Sequence, residues 1–234
     1  MTEFRIRELR LARPKPFGPQ GQPSAIDKVP AAGPVMATAQ GLAGDAQGDT
    51  RRHGGPDKAV HAYPAAHYAR WAAEMPDAAA RLFPGAFGEN LVVEGAAEAD
   101  ICLGDRWRID GALLEVSQAR QPCWKLNLRV NVPDMALRVQ RSGRTGWYFR
   151  VLEAGAIAVG DTAALVARPN PDWPLARVSR VLYRDTLDLD ALAELAALPG
   201  LPESWRKLTE RRLATRRVED WRPRLETPRQ GSNS

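Results

Sequence analysis

Phe4-Arg5-Ile6-Arg7 alternates apolar and charged side chains, the two-residue period of a half-buried strand. Proline and glycine interrupt the chain until Ser24-Ala25-Ile26 and again until Val35-Met36, while Gly41 to Asp49 shows no hydrophobic period and reads as loop. Ala59 to Tyr63 reads as a strand, and Pro64 as the start of a helix over Ala65 to Glu74, because proline suits a first helical turn. Gly88-Glu89-Asn90 turns into the apolar run Leu91-Val92-Val93. The clearest hairpin joins Arg106–Ile109 to Leu113–Val116 through Asp110-Gly111, a pair favoured where both central residues need positive φ. Trp147 to Leu152 and Ala163 to Val166 complete the strands. After Pro169-Asn170-Pro171 the period changes. Leu187, Leu189, Leu192, Leu195 and Leu198 predict a helix capped by Asp188 or Asp190 and ended by Pro199-Gly200. Glu203 to Ala214 and Val218 to Leu225 read as helices too. The fold class is mainly β over residues 1–168, with a small helical tail over 172–225 and a frayed end at 226–234.

Composition narrows the class. Apolar residues make up 44% and charged residues 26% of 234, ordinary globular usage that argues against a disordered or fibrous chain. No run approaches the ~18 apolar residues of a membrane span, and MTEFRIRELRLARPKP has no apolar core of a signal peptide. Two cysteines, Cys102 and Cys123, suggest a reducing compartment, so a cytoplasmic location without membrane association is expected. Of the net charge of +5, +4 belongs to the tail: residues 201–234 carry nine basic and five acidic side chains. Trp205 and Trp221 among those arginines could stack on bases. A solvated, Arg-rich helical face is the simpler reading, and specific nucleic-acid binding is not expected.

Nucleotide phosphate loops of the GxxxxGK[ST] and GxGxxG types are missing, as is a GxSxG elbow. The densest polar cluster runs from Arg51 to His61. His53, Asp57 and His61 recur every four residues, which would suit zinc on a helix, but Gly54-Gly55-Pro56 opposes a helix there. Two readings stay open. Gly-Gly lets backbone approach a ligand while Arg51, Arg52 and Lys58 face a phosphate, or the segment is a solvated surface turn. Cys123 lies between Arg120 and Lys125, and positive neighbours favour the thiolate, the nucleophilic and metal-ligating form. Cys102, between Ile101 and Leu103, reads as a small buried hydrophobe. Glu89 and Asn90 either turn inward at a strand start or serve the turn.

Three separated segments, GLAGDAQGDTRRHGGPDKAVHAYPAAHY, FGENL and SQARQPCWKLN, resemble the MOSC family (molybdenum cofactor sulfurase C-terminal domain), more narrowly its YiiM-like subgroup linked to resistance to 6-N-hydroxylaminopurine. Leu175 to Asp185 and Leu201-Pro202-Glu203-Ser204-Trp205 leading into Arg211-Arg212-Leu213 resemble that subgroup's three-helix appendage. The resemblance implies a barrel-like MOSC domain over 1–168 and a three-helix C-terminal domain over 172–225. It also implies the molybdenum cofactor (Mo-molybdopterin), with Cys123 as thiolate ligand to the metal. Ser24, His53, Asp57, Lys58, His61, Asn90 and Arg120 would join Cys123 in binding the cofactor, and Arg120 and Cys123 would be the catalytic pair. The implied reaction is two-electron reduction of N-hydroxylated compounds such as hydroxylaminopurines and amidoximes, N–OH becoming N–H, at a Cys-ligated molybdenum. The chain has no Cys₄ pattern for an iron–sulfur cluster and no dinucleotide fingerprint, so electrons would come from a separate, flavin-type reductase. The alternative is a carrier of the cofactor, or of sulfur as a Cys123 persulfide, without turnover. A homodimer stays open.

Overall fold

Phe4 and Ile6 turn inward and Glu3, Arg5 and Arg7 outward, as the alternation predicts. The period then slips. A bulge between Ile6 and Glu8 turns Leu9 into the core. The computed structural model describes residues 2–48 and 54–228. Seven strands close into a barrel: β1 (Glu3–Leu11), β2 (Val60–Pro64), β3 (Leu91–Glu94), β4 (Arg106–Ile109), β5 (Ala112–Ala119), β6 (Trp147–Glu153) and β7 (Thr162–Ala167). Around the ring the order is β1-β7-β4-β5-β6-β2-β3 and back to β1. Every pairing is antiparallel except β2–β3, which sets Ala62 against Leu91 in parallel. The β4–β5 hairpin turns at Asp110-Gly111, where Asp110 has φ 46.

Helix α1 (Ala66–Glu74) lies in the crossover between the parallel strands. Pro64 ends β2 rather than opening the helix. Helices α2 (Lys125–Val130) and α3 (Met135–Ser142) sit between β5 and β6. The tail carries α4 (Leu175–Tyr183), α5 (Leu189–Ala197), α6 (Glu203–Thr215) and a single short turn, α7 (Arg222–Leu225). Asp188 caps α5 by accepting from the Ala191 N–H at 3.0 Å. The helix predicted over Val218 to Leu225 shrinks to α7, since the stretch before it carries charges and little to bury. Gly41–Leu42, predicted as loop, pairs with Val35–Thr38.

Two apolar cores result. The larger fills the barrel with Phe4, Trp107, Trp147 and Phe149 and runs on without a break into Trp173, Leu182, Leu192 and Trp205 of the tail. The smaller packs α1, α2 and α3 around Tyr63, Trp71 and Phe87. Among the described residues no helix is long and apolar enough to cross a membrane.

Candidate functional site

Strand register builds the floor of the site. Across β5, β6 and β2, Ala119, Trp147 and Ala62 are partners in the core, whereas Gln118, Tyr148 and His61 form the adjacent row and face the other way. Asn90 continues that row from the start of β3. Its N–H donates to the His61 carbonyl at 2.8 Å, and its Oδ1 accepts from the His61 N–H at 3.1 Å. A pocket of about 590 Å³ opens over this face.

Ser24, Lys58, His61, Asn90, Arg120 and Cys123, all singled out from sequence, line that one pocket. Asp57 does not. Its carboxylate holds Arg150 Nε at 2.5 Å, and its carbonyl accepts from Ser117 Oγ. Asp57 is therefore turned to Arg150 rather than to the pocket, and among the described residues no cluster of His, Cys, Asp or Glu forms a metal site. His53, Arg51 and Arg52 lie outside the described residues. Asn90 lines the pocket, but its amide is spent on the frame: Nδ2 donates to the Arg10 carbonyl at 3.1 Å and to Asp45 Oδ2 at 2.9 Å. Glu89 serves the turn, accepting from Tyr68 Oη and from the N–H groups of Gly85 and Phe87.

Arg120 leaves the end of β5 with its N–H donated to the Gly146 carbonyl at 3.1 Å. The residue is 6% exposed, and its Nη1 has no hydrogen-bond partner. Burying an unpaired charged donor is costly, so Nη1 calls for a partner from outside the chain, a water or a ligand. Tyr148 lies beside Arg120. Burial pushes its hydroxyl up, against the Arg120 charge and hydrogen bond, and it stays protonated. Burial and the Arg120 charge together lower His61 to about 3, so the imidazole is neutral and adds no cation to the pocket. Its ring tilts against Tyr148 at 4.9 Å, and Nε2 lies 3.4 Å from the Thr145 carbonyl oxygen.

Cys123 is a free, buried thiol in the loop between β5 and α2. The tail pins this loop. The Trp124 N–H donates to the Arg224 carbonyl at 2.7 Å, Arg224 Nη1 donates to the Pro122 carbonyl at 2.5 Å, and Asn127 Nδ2 donates to the Leu225 carbonyl at 2.9 Å. Cys102 lies elsewhere, its thiol 3.5 Å from the Pro171 carbonyl, and burial pushes that thiol up. Of the two cysteines, Cys123 lines the pocket and Cys102 does not.

Lys28, Asp45, Lys125 and Tyr148 also line the pocket. Lys28 Nζ is 2.6 and 2.7 Å from the two Asp45 oxygens, both side chains nearly buried, and burial lowers the Lys28 pKa against the attraction of Asp45. Sequence reasoning missed this pair because Asp45 lies in the aperiodic glycine-rich loop and Lys28 beside no motif. At Gly48 a Cβ would stand 2.2 Å from the Pro23 carbonyl oxygen, so only glycine lets that loop close on the Ser24 wall.

Comparison with known proteins agrees with this architecture. Residues 49–164 match the MOSC domain, and residues 173–216 match the YiiM-like, 3-alpha helix domain. Protein YiiM of Escherichia coli is 37% identical over 88% of this chain and 92% of its own. A protein of Gibberella moniliformis named "Reductase" is 43% identical over 75% of this chain but only 31% of its own length. The crystal structure of YiiM from Geobacillus stearothermophilus superposes with a TM-score of 0.76 at 34% identity, over 90% of this chain and 99% of that one. With a closed seven-stranded barrel, a helical tail and YiiM proteins matched along nearly their whole length, the chain belongs to the YiiM-like group of the MOSC family, a family associated with molybdenum-cofactor binding.

Proposed function

We propose that the pocket binds the molybdenum cofactor through Cys123 and that the protein reduces N-hydroxylated compounds there. The observation that carries this reading is the pairing of a buried free thiol with a buried Arg120 Nη1 that lacks a partner, both lining one pocket. The donor set fits the group. Among the described residues no three His, Cys, Asp or Glu side chains gather as an all-protein metal site would require. A single soft thiol beside cations suits a metal that brings its own further ligands and an anionic tail. Cys123 would hold the metal, and Lys58, Lys125 and the Ser24 wall would hold the phosphate end. When bound, the cofactor supplies the two electrons and accepts oxygen.

The chain's own residues do the rest. Arg120 Nη1 donates to the substrate oxygen as negative charge develops on it, while protonated Tyr148 and neutral His61 keep the arginine as the dominant charge beside it. With two electrons and two protons, N–OH becomes N–H and one water. The Gibberella relative named a reductase matches this chain over about a third of its length, which fits a centre that draws electrons from elsewhere, here a separate flavin-type reductase.

Stoichiometric molybdenum in protein from a cofactor-producing host should vanish in Cys123→Ser and persist in Cys102→Ser, because a hard hydroxyl replaces a soft donor poorly. Arg120→Ala should keep part of the cofactor and lose about a hundredfold in turnover, ~3 kcal/mol of charge stabilisation. Loaded protein that consumes no N-hydroxylated base or amidoxime with any of several donors would make the protein a cofactor carrier instead. Equal molybdenum in both cysteine variants would remove the thiolate ligand.

A further inference from the structure

A second cleft lies between α1, α3 and α4 and shares no lining residue with the first. It is an open cleft where the tail meets the barrel, with about 820 Å³ of space that runs out into solvent. His67 and Ser179 line it, 2% and 5% exposed, and each has a polar atom without a partner: His67 Nδ1 and Ser179 Oγ. Arg144, also lining it, stacks its guanidinium over the Trp71 ring at 3.4 Å and leaves Nη1 without a hydrogen-bond partner. Three polar atoms without a hydrogen bond gather around this one cleft, and buried polar groups ordinarily find partners, from the chain, from water or from a ligand.

The surrounding charge says what would match them. Five arginines line the cleft, Arg70, Arg141, Arg144, Arg180 and Arg184. The carboxylates here are fewer and already engaged. Glu98 accepts from His67 Nε2 at 2.8 Å and from the Gly146 N–H at 2.7 Å, Glu74 pairs with Arg144, and Asp185 pairs with Arg180. Cation excess over buried donors calls for an oxyanion.

We propose that this cleft is a second binding site, and that it takes the phosphate of a small phosphate monoester. Phosphate fits better than a carboxylate because it offers three terminal oxygens to the Ser179, Arg141 and Arg144 donors where a carboxylate offers two. With His67 Nε2–H donated to Glu98, Nδ1 is an acceptor that a P–OH can meet. Ser179 Oγ–H donates to a second oxygen, and Arg144 Nη1 and Arg141 close on the remainder.

The site is read by titrating the full-length protein with inorganic phosphate and, separately, adenosine 5′-monophosphate, following backbone amides by NMR. Ala97 and Gly143 report the second cleft, and Gly48 and Gly88 report the first. Saturable shifts at Ala97 and Gly143 are expected. Affinity should fall at least fivefold in Ser179→Ala and further in Arg141→Ala, an exposed position whose change spares the fold. Tighter binding of the nucleotide assigns the ligand as a nucleoside phosphate, and equal binding assigns the phosphate alone. Shifts confined to Gly48 and Gly88, affinity unchanged in both variants, or tighter binding of an oligonucleotide than of either probe would overturn the proposal. The outcome is independent of whether molybdenum is bound.

Discussion

Neutral His61 makes the protein sensitive to acid at a single residue. Its folded-state value of about 3 lies below the ordinary 6.5. The unfolded chain therefore takes up a proton from about pH 6.5 downward, while the folded one does not until about 3. The contribution is whole above 6.5 and is lost as pH falls toward 3, by up to about 1.4 kcal/mol per pH unit. Urea midpoints measured at pH 7 and pH 5 should drop for the wild type and drop less for His61→Gln; equal drops would place the acid sensitivity elsewhere. Legibility at this scale follows local chemistry. Cys123 was visible because cations flank it in the chain. Lys28 and Asp45 were not, because the contact that makes them a pair is tertiary. Tyr148 reads in sequence as one more strand residue, and only the register that sets it beside His61 gives it a place in the site.

Among elements, those with a local cause were legible. Asp110-Gly111 sets its hairpin by backbone preference and Asp188 starts α5 by a cap, and both stand as read. The bulge in β1 and the parallel β2–β3 pairing were hidden, since each answers to a partner strand far away in sequence. Helix α3 was passed over, although Pro133-Asp134 stands at its start and Met135, Ala136 and Val139 form one buried face. Element α7 matters more than its four residues suggest, because it braces the loop that presents Cys123. Arg224→Ala removes donors to Pro122 and Gln140. Hydrogen bonds from a charged donor are worth about 1.5–3 kcal/mol, so the loop should open at least about tenfold more often. Thiol labelling of Cys123 should accelerate accordingly while Cys102 stays slow. Unchanged labelling would show that α2 alone holds the loop.

At the scale of the whole molecule, a boundary near residue 170 separates stretches of chain but not cores, since barrel and tail bury their side chains in one cluster. Denaturation should therefore give a single transition by tryptophan fluorescence and by circular dichroism. Residues 1–168 expressed alone should bind hydrophobic dyes; two separate transitions would mean that the tail is an independent unit. This continuity was illegible in sequence, where the change from strand to helix periodicity looks like a domain border. The seam between β1 and β7 also sets an order of events. Phe4 meets Ala163, a contact that spans most of the barrel's chain, and such distant pairings make folding slow. Until Thr162–Ala167 arrives, β1 has an open edge that could pair with a neighbouring molecule. Arg5 and Arg7, outward on that strand, put charge beside the edge throughout the wait, so the same alternation that marks β1 in the sequence also guards it against aggregation before the barrel closes.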